Sequence, residues 1–132
     1  MQRKIARENA FLLIFESIFK KDETAEEIFI KATEIRGLEY DDYTQKVFFG
    51  SHENSVIIEQ TFEKHLQGWK KERISPVSLA LIRLATYEIL FMDDIPAKVT
   101  INEVVELSKK YDDEKSYAFV NGVVNAVASD AV

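Results

Sequence analysis

A chain of 132 residues with 46% hydrophobic and 30% charged side chains has the size and mix of one soluble globular domain with a real core. It holds no cysteine, which excludes disulfides, thiolate nucleophiles and cysteine-ligated zinc, and no apolar run approaches the roughly 18 residues that span a bilayer. The net charge of −6 is segregated: residues 22–63 hold eleven acids against three bases, a local balance of −8, while the remainder is slightly basic and leaves a polyanion-binding face open.

The N-terminus lacks the apolar core and small-residue cleavage site of a signal peptide, so a cytoplasmic location is expected. Arg3, Lys4 and Arg7 open the first helix, with Glu8 following directly. In "AFLLIFESIF" (10–19) apolar residues wrap nearly the whole circumference, which requires cover on more than one side. That cover is either the rest of the domain or a protein partner.

"TAEE" (24–27) is a capping box that starts the next helix, and Gly37 suits a left-handed cap at its end. Asp41 caps a long helix predicted over 42–66, bent near Gly50 and ended by Gly68. Ser75-Pro76 places a capping hydroxyl before a proline at the first helical position. The helix that follows within 74–92 is apolar enough to be central and buried, so Arg83 needs a partner; Glu72 and Glu88 are the plausible ones. "TINE" (100–103) repeats the capping-box pattern.

Asn121-Gly122 carries the dipeptide signature of a two-residue hairpin turn. The flanking residues decide against it. Phe119, Val120, Val123, Val124 and Val127 recur with helical rather than alternating period, so Gly122 lies inside a last helix. Ala118, Gly122 and Ala126, four apart, make a shallow groove through which another backbone, such as that of the first helix, can approach. The expected fold is a single all-α domain over 1–132 of about six or seven helices, in an N-terminal part of about 1–67 and a C-terminal part of about 69–132.

Motifs for catalysis are weak. His52 and His65 fit no metal-ligand spacing, the pairs Asp41-Asp42, Asp93-Asp94 and Asp112-Asp113 sit where caps belong, and no glycine-rich phosphate loop exists. Neither an enzyme nor a cofactor is expected. Lys109, Lys110 and Lys115, interleaved with Tyr111, Tyr117 and Phe119 and close to Asn121, combine phosphate-neutralising charge with rings and an amide that read unstacked bases. A solvated helix end is the alternative.

Three stretches carry a further likeness: "RKIARENAFLLIF" (3–15), "WKKERISPVSLALIRLATYEI" (69–89) and "IPAKVTINEVVELSKKYDDEKSYAFVNGVV" (95–124). In these the chain resembles the bacterial transcription antitermination factor NusB family. The resemblance implies an all-helical protein that binds a boxA-type single-stranded RNA of ribosomal RNA operons, pairs with the ribosomal protein NusE, and forms a scaffold joining RNA polymerase. It assigns Arg3, Lys4 and Arg7 to an RNA face together with Lys109, Tyr111, Lys115, Phe119 and Asn121, with Lys110 beside them. It assigns Phe15, Glu72, Ser78 and Arg83 to the protein-partner face. An apolar face of this kind could equally self-associate into a homodimer when the partner is missing, and the sequence leaves the oligomeric state open. Two departures stand out: the basic cluster is thinner than the family's, and Ser78-Leu79 replaces its acid–base pair.

Overall fold

The computed structural model describes residues 1–131, which form seven α-helices and no strand. These are α1 (Arg3–Phe19), α2 (Ala25–Ile30), α3 (Asp42–Glu53), α4 (Ser55–Glu63), α5 (Pro76–Phe91), α6 (Ala97–Tyr111) and α7 (Glu114–Asp130). None is long and apolar enough to cross a membrane.

The local signals act where the sequence puts them. Thr24 and Glu27 close a reciprocal capping box on α2. That helix then widens into a π turn over Lys31–Ile35, and the left-handed Gly37 (φ 75°) lets the Leu38 N–H reach back to the Ala32 carbonyl. The Ser75 hydroxyl accepts from the Ser78 N–H ahead of Pro76, and the Asp113 carboxylate accepts from the Ser116 N–H at the start of α7. Asn121 and Gly122 lie within α7 as helix.

The apolar α5 runs through the centre, packed against α1, α3, α4, α6 and α7. Its Ala80, Leu81, Ile82, Leu84 and Ala85 are fully buried. Contacts along its length fix the neighbours' directions. Arg7 of α1 and Thr100 of α6 both meet Glu88 near the end of α5, while Asp112, just past α6, meets Ser75 at its start. So α1 and α6 run parallel to each other, both packed against an antiparallel α5.

Glu88 is 0% exposed and is the polar hub of this core. Its carboxylate accepts from Arg7 Nε at 2.7 Å, from Thr100 Oγ1 at 2.7 Å and from the Tyr43 phenol. One acid thereby ties α1, α3, α5 and α6. Burial pushes the Arg7 guanidinium pKa down, but the hydrogen bond and charge of Glu88 outweigh it and raise it.

Four sequence expectations are corrected. Thr100 does not cap α6, which starts at Ala97 after Pro96; its hydroxyl is drawn inward to Glu88. The helix predicted over 42–66 is two helices that meet at Asn54, whose side-chain amide donates to the Gly50 carbonyl. Arg83 pairs with Glu59 of α4 (Nη2 to Oε1, 2.6 Å) rather than with Glu72 or Glu88, since Glu88 is taken by Arg7. Gly122 admits no neighbouring backbone: a Cβ there would meet nothing within 4 Å.

Candidate nucleic-acid interface

The parallel arrangement of α1 and α6 brings the two ends of the chain's basic sequence together. Lys4 and Glu8, one turn apart, share the α1 face toward α6. Lys4 Nζ lies 3.9 Å from Glu103, and Glu8 accepts from Lys110 Nζ at 2.7 Å and from the Tyr111 phenol. The Tyr111 ring rests on Phe11, centroids 5.2 Å apart, with the rest of its surface exposed. Lys109 Nζ of α6 stands 5.1 Å over the Tyr117 ring of α7, and Asn121 follows Tyr117 one turn later with its side chain exposed.

Not all assigned residues join this surface. Arg7 is 2% exposed and bound to Glu88, so it does not present its guanidinium to a ligand, which corrects its assignment to the RNA face. Arg3, one turn earlier on the same side, is exposed but lies over the Tyr43 ring at 4.4 Å. Phe119 sits about 200° around α7 from Tyr117 and Asn121 and packs instead on Trp69, centroids 5.3 Å apart. Lys115, one turn before it, is exposed on that same side.

The residues assigned to a protein partner divide similarly. Phe15 is half-buried between Phe11 and Phe19, at 6.1 and 5.1 Å. Glu72 is exposed and, with Arg83 and Leu79, lines a groove of about 530 Å³ floored by Ile14, Ile18 and Phe48. Ser78, in the first turn of α5, is 2% exposed, so its hydroxyl is not presented at the surface, which corrects its assignment to the partner face.

Two features escaped sequence reasoning. Glu8 reads as a lone acid interrupting basic residues, yet it holds Lys110 and Tyr111; its spacing of four from Lys4 and three from Phe11 was the available signal. Trp69 sits between α4 and α5 and stays 55% exposed. Among the described residues, no three His, Asp or Glu side chains converge as a metal set.

The Glu8–Tyr111 contact has a pH signature. Partial burial pushes the Glu8 carboxyl up, but hydrogen bonds from Lys110 and Tyr111 outweigh this and hold it below the ordinary carboxylate range. Burial and the Glu8 bond push the Tyr111 phenol up to about 12. The depressed acid stabilises the fold above its ordinary range, and that contribution disappears as pH falls through the lowered value. The raised phenol stabilises below its ordinary value of about 10 and is lost as pH rises through about 12. Glu8→Gln should bring one tyrosine back toward ordinary titration, read by phenolate absorbance; an unaltered titration curve would contradict the contact.

Residues 4–129 match the model of the NusB family. The chain belongs to the NusB family. A transcription antitermination protein NusB of Bacillus licheniformis is 38% identical over 130 residues, 98% of both chains. Among solved structures, T. maritima NusB superposes with a TM-score of 0.86 at 34% identity, over 98% of this chain and 92% of that one. A structure of antitermination factors NusB and NusE in complex with dsRNA matches with a TM-score of 0.85 at 29% identity, over 97% and 96% of the chains. The all-helical fold expected of the family is the fold observed.

Proposed function

We propose that this protein is a transcription antitermination factor of the NusB type. It binds boxA-type single-stranded RNA of ribosomal RNA operons together with the ribosomal protein NusE, in the cytoplasm, and serves as a scaffold on RNA polymerase without doing chemistry itself. The observation that carries this reading is membership of the family over nearly the whole chain, joined to a close fold match with a NusB solved in complex with NusE and RNA. The juxtaposition of Lys4 with Lys110 and Tyr111 through Glu8, beside Lys109, Tyr117 and Asn121, supports a composite RNA surface. Its cations attract phosphate irrespective of sequence, while its rings and amide meet base faces and edges. Glu72 and Arg83, which line the groove floored by Ile14 and Ile18, and Phe15, packed beside it on α1 between Phe11 and Phe19, are the matching proposal for NusE.

Titration of a labelled boxA-type RNA, with and without NusE, tests this. Affinity should fall steeply with salt and rise when NusE is present. Lys109→Ala and Lys110→Ala should each flatten the log–log salt slope by about 0.7, the value for one single-strand phosphate contact. Salt-independent binding, or equal slopes in both variants and the parent, would place the RNA elsewhere. Binding of NusE alone without any RNA affinity would favour a pure protein-interaction module.

A further inference from the structure

We propose that Trp69 and Phe119 form a stacking subsite for one additional nucleotide of a bound single-stranded RNA, with Lys70 and Arg73 holding its phosphate. The inference rests on the RNA-binding reading above and extends the RNA path to the far side of α7.

Four observations carry it. The chain between α4 and α5 turns through two successive left-handed residues, Gln67 (φ 49°) and Gly68 (φ 87°). Buried Leu66 anchors the chain before Trp69 and buried Ile74 anchors it after. The indole is therefore held in place, yet it stays 55% exposed, which a large apolar ring does in water only at a cost.

Its ring meets Phe119 at 54°, an open V rather than a closed stack. The V walls a recess of about 260 Å³ floored by Leu66 and Val123, and Gly122 forms its edge. A Cβ at Gly122 would point into open space, so the helix packing does not call for glycine there, whereas the recess stays open because of it.

On the other side of the indole, Lys70 and Arg73 line a second recess of about 370 Å³. Among the described residues neither has a carboxylate within 4 Å. Of the neighbouring acids, Glu63 pairs with Lys71 at 3.0 Å and Asp130 with His65 at 3.0 Å, while Glu72 is exposed and more than 4 Å from both cations. An exposed aromatic face flanked by two uncommitted cations is complementary to a base and its phosphate, and single-strand binders combine these same two elements. Lys115, exposed one turn before Phe119 on the same side of α7, adds a third cation to that side of the helix.

Trp69 is the sole tryptophan, so its emission reports this site directly. A labelled boxA-type RNA, and versions lengthened by one or two nucleotides at either end, would be titrated into the full chain. Emission should be quenched with the same midpoint as the label once the RNA is long enough to reach the recess. Trp69→Ala should weaken the longer RNA by about fivefold or more, as loss of one base stack does, and leave the short RNA within about twofold. Trp69→Phe should keep most of the affinity. Gly122→Leu should weaken the longer RNA equally while leaving the melting temperature undiminished, since it fills the recess and not the core.

Bound label with unchanged emission, or Trp69→Ala binding as the parent does at every length, would overturn the subsite. So would quenching by NusE alone with no further change on adding RNA, which would assign Trp69 to the protein partner. No binding of the label by the parent chain at any length would instead refute the RNA reading beneath it.

Discussion

Arg7→Met should lower the stability of the fold by about 3–5 kcal/mol while leaving the exposed lysines of the candidate RNA surface in place. The carboxylate of Glu88 has no route to water, and Arg7 is the cation that makes its charge tolerable. Removing that cation strands a buried charge that Tyr43 and Thr100 can only solvate with neutral hydroxyls. Glu103, 3.7 Å from Arg7 Nη1 at the rim, loses a partner as well. Adding Glu88→Gln to Arg7→Met should recover much of the loss, because the amide still accepts from both hydroxyls and carries no charge. Urea unfolding followed by circular dichroism measures both variants against the parent. A single variant within 1 kcal/mol of the parent would mean that the guanidinium reaches solvent, returning Arg7 to the candidate RNA contacts.

Gly50→Ala is the second large effect. A Cβ built there would stand 2.5 Å from Cε1 and Oη of Tyr87, closer than atoms tolerate. The ring has little room to retreat, being buried on α5 with Phe91 5.1 Å away. Overpacking of this kind costs about 1–3 kcal/mol, against roughly 1 kcal/mol gained in helix propensity, so the net change is destabilising. In a Tyr87→Leu background the clash is gone, and the same substitution should become neutral or stabilising. That reversal of sign in a double-mutant cycle is the test. Equal effects in both backgrounds would mean that α3 shifts to make room.

Elements governed by residues a few positions apart were legible in the sequence. The Thr24–Glu27 box, the Ser75-Pro76 start and the left-handed Gly37 act within one turn, so their patterns carry their geometry. The last helix was readable for the same reason: its valines repeat with helical period on both sides of Asn121-Gly122, which outweighs the turn dipeptide.

What was not legible depended on distant partners. Arg83 was expected to pair with Glu72 or Glu88 and Arg7 to face RNA, whereas helix packing across 24 and 81 residues gives Glu59 to Arg83 and Glu88 to Arg7. Thr100 shows the same competition, since a capping pattern yields to a buried acid needing a donor. For the candidate site, the meeting of the chain's two basic segments was expected, but not that the acid Glu8 makes it by holding Lys110 and Tyr111. The division of Phe119 from Asn121 was open to a helical-wheel argument, but the ring that Phe119 turns toward was not.

Glu8 gives the ligand-free surface an internal anion. It already neutralises Lys110 and orients the Tyr111 phenol, so a phosphate arriving at Lys110 would exchange places with a carboxylate instead of meeting a bare cation. Such a swap adds little net attraction at that point. It disfavours loose polyanions, which offer charge without the surrounding fit, and it leaves discrimination to the neighbouring rings and amide.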